Sequence, residues 1–292
     1  MPSYVLLTLV AAWLHAISFT MAKQLWVYSR DPFQISLLSQ LACGVLAALA
    51  LPWAGVGAVG QMPGTLACIG LTVIAGQVFF ILALRHGDAS FVVPMLGLKL
   101  FAVAGFSALW LAETYEPLVY LGAAGAFASL FLLSDGRLRG SLRSALFVTA
   151  AAILYGITDV LLVRAIRAGI SPLEIGVFSL IVPPLLTLPI TLALLPGRWR
   201  VSLPFGRALG RYATVQIAGM VFLMIAFGLA GKATIVNIVQ TSRGLWVLVV
   251  VYVMGRMGLA GVERLTGAQY RTRALGAALL TGSLALAILA HR

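Results

Sequence analysis

Two permanent positive charges lie where a chain can least tolerate them. Lys99 sits within "GDASFVVPMLGLKLF" (87–101) and Arg243 within "GKATIVNIVQTSRGLW" (231–246), both long apolar runs. At the centre of a membrane helix a basic residue costs about 2.5–3.5 kcal/mol on insertion scales. Such a charge has to bind an anion, face water or pair with a carboxylate. Asp159 is the one carboxylate well inside an apolar run, since Asp31, Asp88, Glu113, Glu116, Asp135, Glu174 and Glu263 sit at run ends. One carboxylate cannot neutralise two cations, so at least one cation is left for water or an anionic ligand. The bland alternative is a purely structural ion pair.

The neighbours of these charges are polar in places. At helical spacing Asn237, Gln240 and Arg243 fall within an arc of about 120°, which gives one polar face. Gln77 and Gln40 are further intramembrane donors, for a ligand or for bonds between helices. His15 has an unperturbed pKa near 6.5 and is a candidate proton carrier, or a histidine that is simply hydrogen-bonded. Asp159 is the other proton candidate, its competing role being counter-ion to a basic residue. Tyr155, Trp13 and Trp246 lie away from the run ends, and each either lines a cavity or packs.

These residues need helices that cross a membrane, and the composition supplies them. The chain is 61% hydrophobic and 10% charged, with a mean hydropathy of +1.04, whereas a soluble domain carries about 25% charged residues. The net charge of +12 would suit nucleic acid, but the arginines occupy short gaps between apolar runs, where membrane topology places them. No nucleic-acid partner is expected. Cys43 and Cys68 lie in apolar runs and offer no disulfide or metal framework. A phosphate loop, a His–Glu metal spacing and a serine nucleophile elbow are all missing from the sequence, so neither an enzyme nor a cofactor is expected. The opening "MPSYVLLTLVAAWLHAISF" has no basic residue ahead of its apolar run and reads as a first membrane helix.

A spanning helix takes roughly 17–25 mostly apolar residues. Ten candidates fit: 3–22, 33–54, 65–84, 89–110, 117–134, 143–163, 172–195, 209–230, 232–255 and 270–289. Lys99 and Arg243 are then about ten residues, roughly 15 Å, from either end of their spans, too far to snorkel. Fourteen Lys and Arg fall in the odd-numbered loops, and only Arg164, Arg167, Lys232 and Arg292 in the termini and even-numbered loops. The positive-inside rule puts the odd loops in the cytoplasm and both termini outside.

The halves repeat. "AAWLHAISFTMAKQL" from Ala11 is similar to "AAILYGITDVLLVRAI" from Ala151, and "DPFQISLLS" from Asp31 to "SPLEIGVFS" from Ser171, both at an offset of 140. "GDASFVVPMLGLK" from Gly87 matches "GKATIVNIVQTSR" from Gly231 at an offset of 144, which carries Lys99 onto Arg243. Five spans per half is an odd number, so the second half crosses in the opposite sense, with a site expected near the midplane between the halves. The expected fold is an all-α integral membrane protein: ten transmembrane helices as two inverted five-helix repeats, residues 1–136 and 137–292, around a central cavity. Pro94 and Gly97 flank Lys99 and predict a kink in the fourth span.

"ALRHGDASFVVPMLGLKLFAVAGFSALWLAET" followed by "LGAAGAFASLFLL", and "GLAGKATIVNIVQTSRGLWVLVVVYVMG" with "VERLT" and "LGAALLTGSLALA", resemble the two copies of the EamA-like domain of the drug/metabolite transporter superfamily. The resemblance implies alternating access, and by analogy with the phosphate-ester carriers of that superfamily it points to Lys99 and Arg243 as substrate contacts. The expectation is a secondary active exporter of a small anionic or zwitterionic metabolite, multi-pass in the inner (plasma) membrane and acting as a monomer within the lipid bilayer. The alternative is a flippase for an anionic lipid carrier such as a polyprenyl-phosphate. Expected substrate contacts are Lys99, Arg243, Gln240, Asn237, Gln77, Tyr155 and Trp246, with His15 and Asp159 as proton-coupling residues. The second copy has no proline at the position equivalent to Pro94.

Members of the superfamily commonly keep both termini in the cytoplasm, the reverse of the charge count. Reporter fusions within residues 137–143 and 198–211 are expected to read cytoplasm, and those at both termini the opposite side. A cytoplasmic signal from a C-terminal fusion overturns this orientation.

Overall fold

The computed structural model describes residues 2–112, 138–194, 199–258 and 266–289, together with positions 121, 125, 129 and 132. All regular structure among the described residues is helical. The first half contains α1 (Ser3–Gln24), α2 (Pro32–Ala48), a single turn α3 (Leu51–Ala54), α4 (Pro63–His86), α5 (Ala89–Met95) and α6 (Lys99–Leu111). The second contains α7 (Leu138–Arg167), α8 (Pro172–Leu194), α9 (Leu203–Ala230), α10 (Ala233–Gln240), α11 (Arg243–Arg256) and α12 (Gly267–Leu289). Local signals set several ends. Asp31 caps α2 by accepting from the Phe33 amide at 3.0 Å with Pro32 in the first turn, the pairing that suits a helix start. Gly231, at φ +62°, ends α9 in the left-handed conformation that favours glycine.

Among the described residues, seven segments are long and apolar enough to cross a membrane, the first running from Ser3 to Val27 and the last from Ala233 to Arg256. The expected second span, 33–54, is divided: α2 stops at Ala48 after 17 residues and α3 follows. The expected fifth span, 117–134, lies outside the described residues apart from four positions. The chain is an all-helical multi-pass membrane protein.

The fourth and ninth spans are each broken near the centre, the fourth where Pro94 predicts a kink and the ninth against expectation. α5 gives way to a 3₁₀ turn, Leu96–Leu98, before α6 begins at Lys99. α10 ends at Gln240 and α11 begins at Arg243. Pro94 accounts for the first break, since it lacks an amide proton and its ring crowds the preceding turn. The second has no proline. There the Thr241 amide is shared between the carbonyls of Asn237 and Ile238 and the Thr241 hydroxyl donates to Ile238 O at 2.6 Å, while the Asn237 amide donates to Ala233 O at 3.0 Å. Side chains competing for backbone carbonyls tighten and bend a helix.

Helix packing pairs off across the halves. α1 lies along α9 as α4 lies along α7, and α11 packs on α1 as α6 packs on α7. Each pair is exchanged with its counterpart by the sequence repeat. Two glycines permit these contacts: Gly219 of α9 faces the His15 ring and Gly76 of α4 faces the Tyr155 ring. The rings are repeat-equivalent, and so nearly are the glycines. The ends of α1 and α7 are tied alike. Lys23 Nζ donates to Leu84 O at 2.5 Å and Gly87 O at 2.7 Å, and Arg167 Nε donates to Gly231 O at 2.9 Å. Gly87 and Gly231 are themselves repeat equivalents.

A Cβ added at Gly76 or Gly219 would stand 2.8 Å from Tyr155 Cε1 or His15 Cδ2. Gly76→Ala and Gly219→Ala are each expected to lower the thermal midpoint of the purified protein, at a cost of about 1–3 kcal/mol for overpacking. An unchanged midpoint in both would show that neither notch is needed.

Candidate functional site

The two broken spans bring Lys99 and Arg243 to the wall of one central cavity of about 820 Å³, measured out to its mouth. Both cations begin a helix directly after a break, which puts them at mid-depth in the molecule. Both are buried, at 6% and 4% relative exposure.

Each cation is held by residues of the other half. Lys99 Nζ lies 2.6 Å from Asp159 Oδ2 of α7 and donates to Gln240 Oε1 of α10 at 3.3 Å. Arg243 Nη2 donates to Leu96 O at 3.0 Å, and its guanidinium lies 5.6 Å from the centre of the Phe19 ring of α1. The four contacts obey the repeat: Asp159 is the counterpart of Phe19, and Gln240 of Leu96. One cation therefore meets a carboxylate where the other meets an aromatic face. A cation–ring contact of this kind is worth about 0.5–2 kcal/mol and leaves the charge uncancelled. Among the described residues Asp159 is the one carboxylate lining the cavity. Arg243 Nε is buried without a hydrogen-bond partner.

A polar chain runs on from the ion pair. With Gln240 Oε1 turned to Lys99, the Gln240 amide nitrogen faces His15 Nδ1 at 2.9 Å. Asp159, Lys99, Gln240 and His15 are thus joined in series, and His15 Nε2 at the far end is buried without a partner. One turn along α7 from Asp159, Tyr155 donates to Gln77 Oε1 at 2.9 Å, and Gln77 Nε2 reaches Ser39 Oγ at 3.3 Å and the Tyr212 hydroxyl at 3.4 Å. Gln40 Oε1 has no partner. Phe19, Val73, Leu180, Pro183 and Met220 supply apolar wall between these groups.

Of the residues singled out from sequence, Lys99, Arg243, Gln240, Gln77, Tyr155, His15 and Asp159 all line this cavity. Two do not. Asn237 is buried with its amide bonded to its own helix, and Trp246 lies on the outer face of α11 at 37% exposure. The Asn237 amide is taken by the Ala233 carbonyl of its own helix, while Gln240 and Arg243 of the same arc reach the cavity. Tyr212, Gln216 and Cys43 line the cavity without having been singled out for it. Tyr212 and Gln216 had a legible signal, being polar residues four apart, on one face of the apolar eighth span.

Residues 2–135 match the EamA-like transporter family. Twenty-six solved chains are similar to this one. One of them, described only as "Crystal structure of protein", aligns with 99% of this chain and 98% of its own at a TM-score of 0.68 and 20% identity, a likeness of fold. No curated protein matches the chain. The family resemblance read from the sequence holds over residues 2–135, and proteins of this family are transporters, not enzymes.

A buried pair that loses one member leaves an uncompensated charge, at a cost of about 3–5 kcal/mol, whereas replacing both members with apolar groups is often neutral. Lys99→Met and Asp159→Met are each expected to lower the thermal midpoint, and the double variant to recover most of the loss. Additive losses in the double variant would mean that the two side chains do not stabilise each other.

Proposed function

We propose that this EamA-like membrane transporter exports a small organic anion across the inner membrane by alternating access, gripping the anionic group with Arg243. The observation that carries this reading is the asymmetry of two equivalent positions. Lys99 has Asp159, and Arg243 has Phe19. With Lys99 and Asp159 cancelling, the charged lining residues described leave one net positive charge, on a planar group that can hold a carboxylate or phosphate through two hydrogen bonds. A monoanion neutralises it. A zwitterion would bring an ammonium group to a wall whose described carboxylate is already engaged, so the anion is the better fit.

The second half reads as an inverted copy of residues 1–136. Exchange of the halves by the repeat relates the packing of α1 on α9 to that of α4 on α7, and the contacts of Lys99 to those of Arg243. Broken helices meeting at mid-depth are the arrangement in which a fixed site is exposed alternately to the two sides. The ties of Lys23 to Gly87 and of Arg167 to Gly231 belong to this reading as matching latches on opposite faces, released in turn. His15 and Asp159 are the proton-coupling candidates, because the chain through Lys99 and Gln240 links them. An anion that draws Lys99 towards itself leaves Asp159 able to take a proton.

Phe19→Asp tests the central observation, since it gives Arg243 the carboxylate that Lys99 already has. The variant is expected to stay folded and to lose ligand-induced thermal stabilisation by an anion panel. Arg243→Ala is expected to weaken anion binding roughly ten- to hundredfold, the worth of a charge-assisted hydrogen bond, with Arg243→Lys intermediate. Quaternary cations that stabilise the wild type as well as any anion would sink the proposal.

A further inference from the structure

A second pocket lies where the end of α1, the start of α9 and the end of α11 meet, on the face that carries Lys23, Arg30, Arg200 and Arg207. Met21, Gln24, Val27 and Tyr28 line it from the end of α1 and the residues after it, Arg211 from α9 and Met254 from α11. The first half supplies one wall and the second half the others, so the pocket sits on the seam between them. It encloses about 110 Å³. One water takes roughly 10–15 Å³ on the same measure, so a phosphate group has room. Its depth follows from the apolar runs. Met21 and Met254 fall in the last turns of 3–22 and 232–255, and Arg211 in the first turn of 209–230. Gln24 and Tyr28 lie just beyond the run of α1. The pocket therefore straddles the edge of the hydrocarbon, with the two methionines on its apolar side. Three polar side chains share it. Arg211 Nε makes one long bond, to Arg207 O at 3.4 Å, and no carboxylate pairs with Arg211 among the described residues. The Tyr28 ring is stacked on Phe205 with centroids 5.8 Å apart. Among the described residues neither the Tyr28 hydroxyl nor the Gln24 amide makes a hydrogen bond.

We infer that this pocket binds the headgroup of an anionic phospholipid, with the phosphate at Arg211, Gln24 and Tyr28 and the start of the acyl chains against Met21 and Met254. Basic pockets between membrane helices are sites for such headgroups. A guanidinium holds a phosphate through two hydrogen bonds, and the amide and the phenol add neutral donors. Among the described residues the lining carries one positive charge and no carboxylate. A choline or ethanolamine group therefore finds no partner there, and a headgroup with net negative charge gains most. The depth selects a lipid over a free anion. Lipid phosphates lie at the hydrocarbon edge, and the methionine side of the pocket has acyl chain to meet. A lipid held there touches both halves, so it stabilises their docking by binding the folded chain. The site is independent of whatever anion the central cavity carries.

The test places the full chain in phosphatidylcholine nanodiscs with a rising fraction of phosphatidylglycerol. It reads the thermal midpoint and, by native mass spectrometry, the lipid that stays bound on release from the disc. The wild type is expected to retain one phosphatidylglycerol in preference to phosphatidylcholine, and its midpoint to rise with the phosphatidylglycerol fraction. Arg211→Gln is expected to weaken that retention about fivefold, the worth of one basic side chain at an anionic surface. Arg200→Gln, exposed on the same face but outside the pocket, is expected to leave it unchanged. If Arg211→Gln does not fold, the double variant Gln24→Leu with Tyr28→Phe replaces it, again with weakened retention expected. Equal retention of the two lipids by the wild type overturns the inference. So does an equal loss in the two arginine variants, which would mean diffuse attraction to the whole basic face. Inorganic phosphate that raises the midpoint of the detergent-solubilised wild type but not of Arg211→Gln would assign the pocket to a soluble anion, and overturns the lipid.

Discussion

A fixed charge in the hydrocarbon interior must be met by something, and in this chain each of two such charges is met by the opposite half. Lys99 lies against Asp159 and Gln240, and Arg243 against Phe19 and the Leu96 carbonyl. Neither half can bury its own cation. The requirement that both be solvated sets how the halves dock, with α7 against α6 and α1 against α11. It also places the cavity at the seam between them, at mid-depth.

The backbone obeys the same constraint. A helix that breaks inside a membrane frees carbonyls and amides, and these must find partners where water is scarce. The Leu96 carbonyl, in the 3₁₀ turn of the fourth span, accepts from the guanidinium of the ninth. The break and the charge are thus partners rather than separate oddities. The corresponding interaction on the other side uses the Gln240 side chain in place of a carbonyl, and through it extends to His15. Matched positions of the sequence repeat carry different side chains, and the difference between Asp159 and Phe19 leaves one charge cancelled and the other not.

The close packing of α1 on α9 and of α4 on α7 depends on small residues, because lipid tails are as apolar as the helices and burial alone does not drive helices together. Gly219 and Gly76 let the rings of His15 and Tyr155 approach helix backbone. Both rings also face the cavity, so packing and lining are functions of the same side chains. A change at either glycine is transmitted to the site through one contact.

Much of this was legible in the sequence. The mean hydropathy pointed to the membrane, and the offsets of 140 and 144 matched Lys99 with Arg243 in the sequence. The argument that one carboxylate cannot serve two cations held because it depends only on counting charges within apolar runs. Which cation takes Asp159 was not legible, since the repeat makes Lys99 and Arg243 equivalent and only the packing of α6 on α7 separates them. The break of the ninth span escaped because no proline marks it, and it arises from competition by Thr241 and Asn237 for backbone carbonyls. The sequence determined which groups had to be solvated, because that depends on residue type and depth. The tertiary structure decided which partner solvates each, because that depends on the approach of helices far apart in the chain.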